Sequence, residues 1–192
     1  MGAVSGEVGP RYRFAIERAT LDDVPGIVNV LMDASRWTYR HLPVDPEKAG
    51  VRGLLGDWAA RKPHEYETLI RAGSDNIFVH RLESGRIAGY IHATAAAECV
   101  AWHIGDEFHG TGLAGSLLRR MLEEAGDSEI RTQTTRFGKP YSTFLRFGFR
   151  PEGDLTETPP PMATVGIDAV QQRLRLSRQA RRDLLSGRLA DA

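Results

Sequence analysis

The chain has a single cysteine, Cys99, in 192 residues. That excludes an internal disulfide and any zinc site built from several thiolates. The histidines carry no second-ligand spacing, so no metal is expected. The 25 basic and 25 acidic residues cancel. A global positive field for collecting phosphates is therefore missing, and no nucleic-acid partner is expected. No apolar run is long enough to span a bilayer, and the amino terminus has no signal-peptide core. A cytoplasmic protein with no membrane partner is the simplest expectation. The nucleotide fingerprints are absent too. There is no Gly-x-x-x-x-Gly-Lys-Ser/Thr run, and Gly110-x-Gly112 lacks the third glycine of the dinucleotide pattern.

What is present suits one domain with a full core, 41% of the residues being hydrophobic. Residues 1–11 are small and flexible in type and read as a frayed start. Alternation from Arg13 to Arg18 predicts a first strand, and Thr20-Leu21-Asp22-Asp23 a helix start. Val24, Ile27, Val28, Leu31 and Met32 form that helix's buried stripe. Pro43 to Pro46 breaks the chain. Helical patterning then runs from about Glu47 to Arg61, with a separate piece to Ala72. Strands around Ile77 and Ile91 meet at a Ser84-Gly85 hairpin. Further strands are expected over Glu98–Ile104, Ile130–Phe137, from Phe149, and over Gln171–Leu176. A short helix covers Lys139–Phe147, and Pro159-Pro160-Pro161 marks a loop. This order predicts a mixed α/β sheet.

One stretch stands out. The strand ending at Ile104 runs through Gly105-Asp106-Glu107-Phe108-His109-Gly110-Thr111-Gly112 into a helix with Leu113, Leu117, Leu118, Met121 and Leu122 on one stripe. Glycines at a strand-to-helix turn let a ligand approach the backbone. They leave the first amides of the helix pointing at it, with the positive end of the dipole behind. Such a turn suits a phosphate or pyrophosphate.

The turn and its surroundings resemble the GNAT superfamily of acyl-CoA-dependent N-acyltransferases. Its pyrophosphate motif, Gln/Arg-x-x-Gly-x-Gly/Ala, is matched by His109-Gly110-Thr111-Gly112-Leu113-Ala114 except at the first position. Its later Gly-Phe pair is matched by Gly148-Phe149. By element order the resemblance covers residues 12–176. It implies a mixed, largely antiparallel central sheet flanked by helices and splayed to admit acyl-CoA, with acetyl-CoA as cosubstrate. Trp102, His103 and Ile104 would then offer backbone to the thioester end. His109, Gly110, Thr111, Gly112, Leu113, Ala114, Gly115 and Ser116 would hold the pyrophosphate. The activity implied is transfer of an acetyl or other acyl group to a primary amine, on a small molecule or a protein. The alternative is a non-catalytic fold that binds or senses acyl-CoA.

Amine attack on a thioester needs a proton acceptor and a donor for the leaving thiolate. Glu98 is the leading base. Period two puts it on one face with Val100, Trp102 and Ile104 unless a bulge intervenes, and the resemblance supplies a base glutamate at a matching offset. His103 and His92 are the alternatives, since imidazole titrates near neutrality. Phe144 occupies the position where the family often has its acid tyrosine, and Gly138 one where asparagine is common. Tyr141, a turn before Phe144, is the substitute acid unless it merely packs. His109 keeps a backbone amide for phosphate but not the family's side chain. Trp37, Tyr39, Trp58 and Tyr66 either wall an acceptor pocket or pack in the core. The basic tail, residues 177–192, carries Ala180, Leu184, Leu185 and Leu189 at helical spacing. A capping helix, a homodimer contact and a frayed end all fit it.

Overall fold

A computed structural model describes residues 14–40, 49–136, 139–156 and 171–187. Thr20 starts the first helix because its amide and its hydroxyl both donate to the Asp23 carboxylate, at 2.8 and 2.9 Å. A 3-10 turn, Leu21–Asp23, leads into α1, Val24–Arg40. Asp23 is buried and also receives the Arg81 guanidinium at 2.8 and 3.0 Å, which ties the helix start to the sheet. Helix α2, Ala49–Ala72, runs through Pro63 without a break, where the sequence suggested two pieces. A proline removes one helical hydrogen bond. Here Trp58, Tyr66, Leu69 and Ile70 pack on the α1 side of the core from both sides of it.

Seven strands follow: β1 (Glu17–Arg18), β2 (Asn76–Arg81), β3 (Ile87–Ala93), β4 (Glu98–Ile104), β5 (Ile130–Thr135), β6 (Arg150–Thr156) and β7 (Gln171–Leu176). They form one sheet in the order β1-β2-β3-β4-β5-β7-β6, antiparallel throughout except between β4 and β5. β1 is only two residues long, shorter than its alternation predicted. Every residue of β3 is buried because helices cover both faces. On one face Ile77, Val79, Ile87 and Tyr90 pack with α1 and α2. On the other, Phe78, Ala88 and Ile91 meet α3 (Leu113–Glu124), α4 (Lys139–Arg146) and α5 (Arg178–Leu185).

Two features shape the site. First, β4 and β5 pair only at Glu98 with Arg131 and Cys99 with Thr132. Beyond Cys99 the two strands part. Second, β4 carries a bulge. Ala93 lies opposite Cys99 while His92 lies opposite Ala101, so Val100 is the extra residue. The alternation resets across it. Cys99 and Trp102 therefore share one core face, while Ala101 packs on the other. The single-face expectation for Glu98, Val100, Trp102 and Ile104 is thereby corrected. Glu98 falls on the side opposite Trp102.

Within the tail, α5 docks on the body of the protein. Arg181, 7% exposed, donates to the carbonyl of Leu122 at 2.7 and 3.3 Å, serving an orphan acceptor at the end of α3, and Leu184 enters the core. Leu189 lies outside the described residues, as do Gly138, Pro43 to Pro46 and the Pro159 loop.

Candidate functional site

The gap between β4 and β5 opens into a cavity of about 730 Å³. Its walls come from four places: Ala34 and Trp37 of α1, residues 102–104 of β4, the turn and first half of α3, and α4 with Phe147. Gly110 and Gly112 have φ of +76° and +91°, with open space where a Cβ would point. The backbone conformation, not crowding, calls for glycine there. The turn is braced by the Thr111 hydroxyl, which donates to the Phe108 carbonyl at 2.7 Å and accepts from Leu113 N–H at 3.4 Å.

The amides of the turn divide into two sets. His109 N–H donates to Asp106 O at 3.2 Å, and Thr111 N–H to Phe108 O at 3.3 Å. These two are engaged, which corrects the expectation that His109 would offer its amide to phosphate. Ser116 N–H is already bonded to Gly112 O at 3.1 Å. Between them Gly112, Ala114 and Gly115 line the cavity, with no backbone acceptor for their amides among the described residues. Leu113 is fully buried and faces the core. Ser116, Trp102, His103 and Ile104 are all on the wall.

The structure adds residues that the sequence reading passed over. Arg119, Lys139 and Arg146 bring three cationic side chains to the wall. Lys139 Nζ sits 4.4 Å from the centre of the Trp37 ring, and Trp37 meets His109 edge-on at 5.4 Å. Trp37 is thus on the wall. Tyr66 is in the core, its hydroxyl 2.9 Å from that of Tyr90, and Trp58 packs beside it. The Tyr39 side chain lies outside the described residues. A helical signal for the cations was available. Gly112, Gly115, Ser116 and Arg119 are spaced i, i+3, i+4, i+7, as are Lys139, Ser142, Thr143 and Arg146.

The proposed acid and bases are dispersed. Tyr141 packs against the core and is not on the cavity wall, so the substitute-acid expectation does not match its placement. Phe144, at the position where the resemblance expects a tyrosine, is buried and does reach the wall. Glu98 is exposed at the closed end of the gap, off the wall, with its amide donating to Thr94 Oγ1 at 3.3 Å. His92 is buried behind β4, with Nε2 2.7 Å from Asp75 Oδ2. Only His103 of the three candidate bases lines the cavity. Burial lowers its pKa to about 4, helped by the charge of Lys62, so its ring is neutral at physiological pH. Cys99 is also buried, and burial pushes its thiol up to about 12, which leaves no reactive thiolate. Among the described residues no group of three or more His, Cys, Asp or Glu could hold a metal ion, and no helix is long and apolar enough to cross a membrane.

A mixed seven-stranded sheet, parted at its parallel pair beside a glycine turn, is the fold of the GCN5-related N-acetyltransferases, the GNAT fold. The chain superposes on a PaiA N-acetyltransferase from Thermoplasma acidophilum, solved with coenzyme A, at 14% identity and a TM-score of 0.61, over 84% of this chain and 98% of that one. A GCN5-related N-acetyltransferase from Rhodopseudomonas palustris gives 10% identity and 0.64, over 86% and 96%. A ribosomal-protein-alanine N-acetyltransferase from Brucella melitensis gives 18% and 0.61, over 85% and 99%. At these identities the likeness speaks for the fold alone. No protein-family model matches the chain, and no curated protein matches it.

Proposed function

We propose that the protein is an acyl-CoA-dependent N-acyltransferase, most simply an acetyltransferase that moves the acyl group directly to a primary amine. The observation that carries this reading is the parted β4–β5 pair, with the amides of Gly112, Ala114 and Gly115 on its wall. The residues suit the cosubstrate. Those amides and the cations Arg119, Lys139 and Arg146 answer phosphate charge. Trp102, Phe108, Phe144 and Phe147 supply an apolar wall for the pantetheine arm.

A bound thioester supplies an acyl carbon open to attack by a neutral amine. The rest is the work of this chain. The wall aromatics exclude water. The backbone of residues 102–104 lies where β4 has lost its strand neighbour and orients the arm. The neutral His103 ring accepts a hydrogen bond from the incoming amine, and Glu98, reached through water, takes the proton; as the new C–N bond forms the thioester C–S bond breaks, and CoA departs as the thiolate, which water protonates. Burial of Cys99 supports direct transfer over an acyl-cysteine route. The acceptor is a small-molecule or protein amine.

Calorimetric titration of CoA, followed by turnover of acetyl-CoA with a panel of amines, tests the reading. Gly112→Asp forces a side chain into the left-handed region and sets a negative charge among the phosphates. CoA affinity should drop more than about tenfold, and stability by about 1–2 kcal/mol. Glu98→Gln should lower kcat about a hundred- to ten-thousand-fold with CoA affinity unchanged. Absence of CoA binding by wild type would refute the proposal. Tight CoA binding with no amine acetylated would leave the acyl-CoA-sensing alternative.

A further inference from the structure

Gly110 and Gly112 are glycines for their backbone conformation. Gly89, inside β3, is one for a different reason. It is buried, and its φ lies outside the left-handed region. What it lacks is room. A Cβ built on it would lie 2.7 Å from Ile104 Cγ2, 3.0 Å from the His103 carbonyl oxygen and 3.3 Å from Ile104 Cα. Carbon atoms pack best at about 3.5–4.0 Å. A glycine within a strand forfeits side-chain packing, and the close approach of another backbone is one reason to keep it. Here all three crowding atoms belong to β4, at the level where it walls the cavity.

The direction of that crowding follows from the strand order. β4 lies between β3 and the gap. β3 is held firmly: its far edge pairs with β2, and every residue in it is buried. β4 is held on one side only, because beyond Cys99 it has no pairing with β5. A group added at position 89 therefore drives the end of β4 away from β3 and into the cavity. That end is tied to β3 by Gly105 N–H, which donates to Ala88 O at 2.8 Å, and it leads into the glycine turn. We propose that Gly89 is a positioning residue that sets the width of the cleft. The bare flank of β3 lets β4 seat against it, and the gap stays wide enough for the acyl-pantetheine arm. This inference rests on the acyl-CoA reading and deepens it. Gly89 is itself off the cavity wall. It acts through Ile104 and the His103 carbonyl.

The structural rival is a glycine that relieves crowding in the core and has no bearing on the cleft. Gly26 supplies a matched control. A Cβ there would collide with Ile87 Cγ1, across the face of the sheet rather than along it, and Gly26 is not on the cavity wall. CoA is titrated calorimetrically into wild type, Gly89→Ala, Gly26→Ala, Ile104→Ala and the double variant Gly89→Ala with Ile104→Ala. Thermal unfolding of each free protein is followed as well. Gly89→Ala and Gly26→Ala should both lower Tm, since overpacking strains either site. Gly89→Ala should also raise the Kd for CoA at least about fivefold, while Gly26→Ala leaves it unchanged. Ile104→Ala removes Cγ2, so adding Gly89→Ala to it should cost less affinity than adding it to wild type. An undiminished loss there assigns the push to the His103 carbonyl, which that variant keeps. Should Gly89→Ala alone fail to fold, the double variant measured against Ile104→Ala makes the same comparison. Unchanged Kd in a folded Gly89→Ala protein overturns the inference. So does an equal weakening in Gly26→Ala, which would tie affinity to stability alone. Wild type that binds no CoA fails the acyl-CoA reading itself and takes this inference with it.

Discussion

The two joints on either side of β4 are built on opposite terms. β3 and β4 pair along their length, from Gly89 with Ile104 to Ala93 with Cys99. β4 and β5 meet at two residues and separate. One joint spends its backbone hydrogen bonds on neighbours. The other leaves an internal strand with an edge, and such an edge is a template for added pairing. The open joint is still anchored at its base: Thr132 Oγ1 donates to Cys99 O at 2.8 Å, and Arg131 N–H to Ala97 O at 3.2 Å. The cleft is thus a local withholding of pairing inside one sheet, not a boundary between two bodies. Phe78, from the closed half, shares a single core cluster with Phe149, Leu174 and Leu176 from the far half.

That contrast can be broken at several points. Phe149 is fully buried and packs on Phe144 at 5.1 Å. Phe149→Ala should cost about 3–5 kcal/mol. If the halves share one core, denaturant melts followed by two probes will show a single shifted transition. A separate early phase would mean that the far half folds on its own.

His103 lines the closed joint's side of the cleft. Its folded pKa of about 4 lies below the ordinary 6.5. The unfolded chain therefore binds this proton first, and stability is lost as pH falls from about 6.5 towards about 4. The loss is at most roughly 3 kcal/mol, less where solvent screens the ring. His103→Gln should flatten that part of the stability–pH curve. An identical curve would show that burial does not hold the ring neutral.

At the open joint, Thr132→Val keeps the shape and removes the hydroxyl bond to Cys99. It should cost about 1 kcal/mol by chemical denaturation. It should also loosen the anchored end, seen as faster amide exchange at Arg131, whose N–H bonds Ala97 O, with little change at Thr134, whose amide by period two turns to β7.

Much of this was legible in the sequence. The glycine turn, the α3 stripe and the Thr20 start are local signals. Each depends on residues within one or two turns, and each appears where its spacing put it. The continuous α2 was hidden by Pro63, because the packing that carries the helix past the proline comes from elsewhere in the chain. The wall cations were written at helical spacing in α3 and α4, yet the sequence does not say that these two faces look at each other across a gap. The sequence leaves Tyr141 between acid and packing for the same reason. It shares a helix with the wall residues but lies on the core side of α4.

The sequence by itself determined the turn at residues 109–116. Left-handed glycines and an amphipathic run leave the backbone little choice, since sterics and the helical period act over a few residues. Only the tertiary structure decided what that turn faces. The bulge at Val100 and the two-residue contact of β4 with β5 both depend on strands distant in sequence coming into register. Register is set by the whole core, not by any segment read alone.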